Sequence, residues 1–205
     1  MPQGFSGIRT ETPQNLVLDA GVAYANIDVD ELETSGWSEA ITGAQNLGAT
    51  RGGASFDLNR QLREIEVNGA LGPVDQLIRR QEIRPTLSVT LLEMTADNLL
   101  KAVAGGQMVE VPDTTPEYER ISGGEITSAS FLDNIALATR LQGSTDNKPI
   151  VFVLYNAMVH TSPPMSAEEQ NEMGIECEFV GHFPLESPQD EATVWRIYRP
   201  ITTSP

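Results

Sequence analysis

Between Arg84 and Met94 the sequence RPTLSVTLLEM alternates, with Leu87, Val89 and Leu91 on one side of an extended chain and Thr86, Ser88 and Thr90 on the other. Successive side chains of a β-strand point to opposite faces, so this is a strand with one apolar face and one polar, uncharged face. Such a strand cannot stand alone: its apolar face needs a covering layer and its backbone needs hydrogen-bonding neighbours. The preceding residues supply candidates. Phe56 and Leu58 alternate with Asp57 and Asn59, and Ile65 and Val67 alternate with Glu64, Glu66 and Asn68. Asn68–Gly69 is a tight-turn pair, because both residues accept positive φ, and Gly72–Pro73 extends the break. Residues 48–94 therefore read as a β-hairpin, a crossing segment and a long strand that leads into a helix over 95–104. Thr95 is placed to cap that helix, Asp97 and Asn98 occupy its first turn, Leu99, Leu100 and Val103 form its apolar stripe, and Gly105–Gly106 end it.

Residues 15–26 read as one strand interrupted at Asp19–Gly21. Residues 27–47 are acidic and then rich in Gly, Ser and Thr, without a steady apolar period, and read as a long loop. Further strands are expected at Val109–Val111, around Ile135–Leu141, over Ile175–Phe183 and over Val194–Tyr198. Residues 112–125 read as a turn-rich connection and Asp146–Pro149 as a turn. Ile150–Val159 (IVFVLYNAMV) is almost wholly apolar and is expected to be a central strand buried on both faces. Ser166 with Glu169 makes a capping box for a short helix that Gly174 ends. The sum is seven to nine strands and two short helices. Seventeen glycines and thirteen prolines suit such a turn-rich chain. The expected fold is mainly β and antiparallel. Residues 1–14 form an extended N-terminal arm, 15–200 a single β-rich domain and 201–205 a tail.

The formal net charge is −16 and it is unevenly spread. Residues 1–47 hold seven acids and one arginine, residues 48–93 six acids and six arginines, and the remainder sixteen acids and six bases. A surface this acidic repels phosphates and argues against a sequence-specific nucleic-acid binder. It does not argue against a protein that must stay near DNA without sticking to it. The N-terminus has neither a basic start nor an apolar run, and no window approaches the ~18 apolar residues of a membrane span. The expectation is a protein made and held in a cytoplasm, or released by lysis, with no membrane insertion.

Catalytic and metal-binding patterns are not found. Nucleophilic catalysis needs a nucleophile, a base and an orienting group, yet the chain has one cysteine, Cys177, in a strand, and two separated histidines, His160 and His182. One Cys and two His give no zinc spacing. Asp28-x-Asp30 begins like a calcium loop, but Leu32 stands at the third ligand position. Gly48–Gly53 (GATRGG) lacks the Lys-[Ser/Thr] of a phosphate loop, and its glycines suit a tight turn before a strand. Carboxylate pairs at i, i+2, Glu64 with Glu66 and Glu176 with Glu178, share a face but have no sugar-stacking aromatics beside them. No enzyme activity and no cofactor are expected.

The order of segments resembles the major tail tube proteins of long-tailed bacteriophages and their prophage relatives. The resemblance is carried by LGATRGGASFDLNRQLREIEVNGALGPV, PTLSVTLLEMTADNLLKAV, FLDNIALATRLQG, KPIVFVLYNAMV, an acidic strand ending CEFVGHF, and a terminal WRIYRP, and it covers most of residues 15–200. It implies a β-sandwich or barrel-like domain with a flanking helix. It also implies six copies joined edge to edge in a ring, and rings stacked into the hollow tube that conducts phage DNA, with arms and long loops locking successive rings. Partners would be further copies of the chain, with tape-measure, terminator and baseplate proteins, and the location the tail of a virion assembled in the host cytoplasm.

Physical reasoning runs the same way. Ring closure pairs sheet edges that are otherwise a liability, and a head-to-tail interface that closes by rotation makes a ring. A conduit for DNA should not bind it, so carboxylates and hydroxyls suit its wall. The expected lining residues are Asp57, Glu64, Glu66, Thr86, Ser88, Thr90, Glu176 and Glu178. The arginines of the charge-balanced central stretch, Arg51, Arg60, Arg63, Arg79, Arg80 and Arg84, are the expected inter-subunit contacts. Two alternatives stand beside this reading. One is another ring-forming tail component or a secretion-system tube; the other, of a different class, is a carbohydrate-binding or hydrolytic β-domain.

Overall fold

The computed structural model describes residues 9, 12–17, 19–69, 71–111, 118–144, 148–161 and 172–201. Among them lie twelve strands: β1 (Val22–Ala25), β2 (Gln45–Asn46), β3 (Thr50–Asp57), β4 (Arg60–Glu64), β5 (Ile78–Ile83), β6 (Thr86–Leu91), β7 (Gly106–Glu110), β8 (Glu119–Gly123), β9 (Leu132–Arg140), β10 (Pro149–Val159), β11 (Ile175–Gly181) and β12 (Trp195–Tyr198). Three α-helices accompany them: α1 (Val29–Thr34), α2 (Trp37–Ala40) and α3 (Ala96–Ala102). The fold is mainly β and antiparallel throughout, as expected, with more strands and one more helix than the sequence reading counted.

One large sheet runs β2-β1-β9-β10-β11-β6-β3, with β12 alongside β10. Strand β10 shares one of its edges between two partners, β12 along Val151–Leu154 and β11 along Ala157–Val159. The sheet therefore curls, and Phe56 of β3 comes back to meet Phe152 of β10, ring centroids 5.5 Å apart, and Trp195 of β12. The main core fills this curl. It includes Ala23, Leu87, Val89, Leu91, Ile135, Leu137, Leu154, Val159, Cys177 and Phe179. A second, smaller cluster lies on the other face, where Ile27, Ala136, Val151 and Val153 pack under Val29, Leu32, Trp37 and Ile41. Strand β10 is thus buried on both faces, which explains its almost wholly apolar sequence.

A left-handed residue, Asn156, lets one strand serve both halves of the core. Asn156 has φ 45°, and it falls between the pairs Tyr155↔Asn134 and Ala157↔Leu132. Before it the even-numbered Phe152 and Leu154 face the main core; after it the odd-numbered Ala157 and Val159 do. The register against β9 is the same on both sides of Asn156, so the alternation reverses at a left-handed residue and not by an insertion.

The helix after β6 forms where expected. The Thr95 side chain accepts a hydrogen bond from the Asn98 N–H, and Asp97 sits in the first turn. The buried Asn98 amide then donates to the carbonyls of Leu47 and Glu93, 3.0 Å each, tying the helix to the strand ends.

Three expectations need correction. Residues 27–47 are not a long loop; they fold as α1, α2 and β2 over the second core cluster. Asp28 caps α1 by accepting from the Glu31 N–H, and Asp30 and Glu31 suit its N-terminal dipole, so the acidic run is helix-start chemistry. Gly36, at φ 109°, separates the two short helices and breaks the period that would have announced them. The connection assigned to residues 112–125 contains β8, which pairs with β7 as a second hairpin. Finally, Asn68–Gly69 does not join two strands directly. The hairpin partners are β4 and β5, and that turn lies within the longer loop between them.

Residues 12–17 are tied into the sheet end rather than standing apart: the Gly143 N–H donates to the Gln14 carbonyl, the Gln142 N–H to the Leu16 carbonyl, and Val17 bridges Leu141. The helix expected from Ser166 and most of the N-terminal arm and C-terminal tail lie outside the described residues. Among the described residues no helix is long and apolar enough to cross a membrane.

Candidate functional site

Antiparallel register decides which polar residues meet, because directly opposed residues share a face. Across β11, β6 and β3 the rows are Glu176, Thr90 and Arg51; then Glu178, Ser88 and Ser55; then Val180, Thr86 and Asp57. Six of the eight expected lining residues, Asp57, Thr86, Ser88, Thr90, Glu176 and Glu178, therefore lie on one face, opposite to the one that packs Leu87, Val89, Cys177 and Phe179 into the main core. The centre of this face is an open trough of about 510 Å³ whose walls include Ser55, Ser88, Thr90, Glu176 and Glu178 and no aromatic side chain. Thr86 is the exception to its openness: it is 5% exposed, beneath the Asn59 amide that donates to its hydroxyl.

The run Gly48–Gly53 shapes the edge of this face. Gly52 and Gly53 both have positive φ and sit where β3 slips register against β6, between Arg51 and Ala54. They form a bulge within the strand rather than a turn before it. Gly48, also at positive φ, rests against the Glu93 carboxylate, which accepts from the Ala49 N–H.

Glu64 and Glu66 are placed elsewhere. Beyond Asp57 and before Thr86 the two strands continue as β4 and β5, a two-stranded arm that leaves the body. Every residue of β4 is exposed, and so is every residue of β5 except Ile83. None of the arm's residues belongs to either core cluster. It nevertheless carries Leu62, Ile65, Val67, Leu71, Val74 and Ile78 exposed to solvent, Leu71 completely. Glu64 ends β4 and Glu66 lies in the loop, so the structure does not bring them to the polar face.

The six arginines divide into three groups. Arg51 pairs with Glu172, and Arg60 and Arg80 both pair with Glu191, which precedes β12; the Arg60 contact is 3.0 Å. These three expected inter-subunit residues are thus engaged within the chain, and the Glu191 pairs fix the root of the arm to the body. Arg84 meets His160. Arg63 and Arg79 remain. They oppose one another across the arm, and neither has an acid within ion-pair distance among the described residues. Like charges directly opposed on a hairpin are unfavourable by roughly 0.2–1 kcal/mol.

Cys177 points into the core, where burial pushes its thiol up to about 12. The thiolate needed for a nucleophile is therefore suppressed at neutral pH. No group of three or more His, Cys, Asp or Glu is placed to hold a metal ion among the described residues. The arrangement that sequence reasoning missed is the meeting of His160 with His182, ring nitrogens 2.8 Å apart. The two residues end separate strands, and no local spacing announces their contact.

No protein-family model matches the chain and no curated protein matches it, so the face and the arm are interpreted from their own chemistry.

Proposed function

We propose that this chain is a structural, self-assembling protein of the tail-tube class: six copies close a ring, rings stack into a hollow tube, and DNA passes through it from a phage or phage-like particle. The observation that carries this reading is the arm. It has no part in either core, exposes six large apolar side chains, and opposes Arg63 to Arg79 without an acid at ion-pair distance among the described residues. A monomer gains nothing from such a projection, whereas a neighbouring copy of a chain with net charge −16 offers it carboxylates to meet.

The polar face supports the same reading. Hydroxyls and carboxylates without stacking rings, with the cation of these rows, Arg51, paired to Glu172, give a surface along which nucleic acid slides, because aromatic stacking and unpaired cationic side chains are what hold single or double strands. Strands β3 and β2 end the hydrogen-bonded path, so each has one backbone edge without a strand partner among the described residues. Edge pairing between copies removes that liability. The chain's partners on this reading are its own copies and the tape-measure, terminator and baseplate proteins that measure and close a tail, and its location is the virion tail.

Electron microscopy of the purified protein tests the proposal. Tubes of uniform diameter are the expected result. Rings that never stack would reassign the chain to a terminal ring of the tail, and a monodisperse monomer at high concentration would overturn the assembly reading altogether.

The lining assignment has its own test. Replacing Glu176 and Glu178 together by Lys should slow DNA passage by roughly tenfold at low salt and less at high salt, because phosphate attraction is screened. Unchanged ejection kinetics in particles carrying both substitutions would place this face away from the DNA.

A further inference from the structure

A continuous chain of hydrogen bonds crosses the root of the arm. Arg84 Nη2 lies 3.2 Å from His160 Nδ1, His160 Nε2 lies 2.8 Å from His182 Nε2, and His182 Nδ1 lies 2.9 Å from the carbonyl oxygen of Asn156. The two ends dictate where the protons sit. A guanidinium only donates, so His160 Nδ1 must accept; a carbonyl only accepts, so His182 Nδ1 must carry a proton. One proton then remains for the link between the rings, and with both imidazoles neutral it belongs to His160 Nε2, which donates to a bare His182 Nε2. Every ring nitrogen is satisfied, and the direction of each bond is fixed.

We propose that Arg84, His160 and His182 form a proton-operated latch at the root of the arm, closed when both imidazoles are neutral and opened when the pair takes up a proton.

The chain has no place for one more proton. If His160 takes it, Nδ1 becomes a donor facing the Arg84 donor. If His182 takes it on Nε2, His160 must turn that nitrogen into an acceptor and carry its proton on Nδ1, again facing Arg84. In both cases the bond between the rings survives, and Arg84 faces an N–H donor on a pair that now carries a positive charge. Arg84 stands directly between β5 and β6, where arm and body meet, and the neighbouring Pro85 carbonyl accepts from the Gly181 N–H of β11. The opposite side of the root, Arg60 and Arg80 on Glu191, contains no histidine. The latch therefore loosens one side only, leaving the arm tethered but freer to swing.

Among the described residues, few groups face the pair. Arg84 approaches His160 from the strand junction, His182 from the end of β11, and Glu178 from within β11. His182 faces the carbonyl of the left-handed Asn156 in β10 and the edge of the Phe131 ring, centroids 5.1 Å apart. Burial, then His182 and Arg84, hold His160 below the ordinary histidine range, against an upward pull from Glu178. A histidine with a lowered folded pKa binds fewer protons folded than unfolded. Its contribution to stability is complete above about pH 6.5, the unfolded value, and declines as pH falls from there toward the lowered one. The latch is thus closed at neutral pH and opens in mild acid.

This inference does not depend on the assembly reading, and its test keeps the two apart. Amide exchange of the full chain is followed over 60–64 and 78–83 at pH 7.5 and 5.0, corrected for intrinsic rates, with sedimentation velocity run in parallel to report association at each pH. Arm exchange is expected to rise roughly fivefold or more in acid, the scale of losing one charge-assisted bond. His160→Gln supplies a carbonyl to accept from Arg84 and an amide to donate to residue 182, and His182→Gln beside it removes the second ring that can take a proton, so the arm exchange of the double variant is expected to be independent of pH. Nitrogen-detected histidine spectra should give the Nε2–H tautomer for His160 and the Nδ1–H tautomer for His182 at pH 7.5. Arg84→Gln should raise the His160 midpoint. An equal acid response in the double variant, opposite tautomers, or a wild-type arm indifferent to pH would each overturn the latch.

Discussion

Replacing residues 60–83 by a single glycine is expected to leave a folded body that no longer assembles. The deletion joins Asn59 to Arg84 through one residue, and Asn59 already has the positive φ, 42°, that an Asn-Gly turn uses. Strands β3 and β6 keep their pairing, since Asp57↔Thr86 is its last rung. Nothing in the deleted stretch belongs to either core cluster. The thermal midpoint should fall by only a few degrees, and most of that loss should come from Glu191, which is 17% exposed at its side chain and loses both arginine partners. Adding Glu191→Gln should return part of it. Association, by contrast, should weaken by roughly a hundredfold or more, because exposed apolar side chains beside two guanidiniums that meet no acid among the described residues are the kind of surface on which interface energy concentrates. Calorimetry and electron microscopy read the two effects separately. Tubes of normal length from the shortened chain would remove the arm from the assembly mechanism.

The milder variant Arg63→Glu separates charge from apolar contact. Reversing one member of the opposed pair turns a repulsion with Arg79 into an attraction, so the isolated arm becomes slightly more stable. If the arm docks on carboxylates of another copy, assembly should nevertheless weaken, and weaken most at low salt where charges are least screened. Assembly that improves in step with arm stability would mean that the guanidiniums do not meet acids in the assembled state.

What the sequence told in advance depended on whether the information was local. The alternation at Thr86–Leu91 announced a half-buried strand because the period belongs to six consecutive residues. The apolarity of β10 announced burial on both faces for the same reason. Its change of facing was not legible, because the left-handed backbone at Asn156 falls between the stretches paired with the two partners that share its edge. Residues 27–47 were misjudged since two helices of six and four residues, split at Gly36, are too short to display a period and are held by the sheet beneath them. Register was likewise out of reach. The sequence shows that Glu176 and Glu178 share a face and that Ser88 and Thr90 share one, but only strand pairing across more than eighty residues makes it the same face. Glu64 and Glu66 obey the same alternation and went astray because the strand they follow leaves the body.

The cover over the second core cluster gives the sharpest stability prediction. Strand β1 ends at Ala25, and Asn26, at φ 56°, turns the chain out of the sheet. Ile27 is then 3% exposed with no strand beside it. The side chain of Asn134, on β9, stands in for that strand: its Oδ1 accepts from the Ile27 N–H and its Nδ2 donates to the Ile27 carbonyl, both at 2.9 Å. Asn134 is itself buried, and its backbone carbonyl accepts from the Asn26 N–H. Asn134→Leu keeps the volume and orphans two buried backbone groups, each at about 1–3 kcal/mol, so a loss of roughly 2–5 kcal/mol is expected, or about 5–15 °C in midpoint for a chain of this size. Asn134→Asp discriminates the mechanism. Ionised, it can accept but not donate, and a buried charge is added; protonated, it can do both. Its folded pKa is therefore raised above the unfolded value, and its deficit relative to the parent chain should shrink as pH falls through that raised value. Amide exchange at Ile27 locates the damage: it should rise first in both variants, ahead of β9 and β10. A leucine variant as stable as the parent, or an aspartate variant whose deficit ignores pH, would show that the amide at Asn134 fills space rather than replacing a strand.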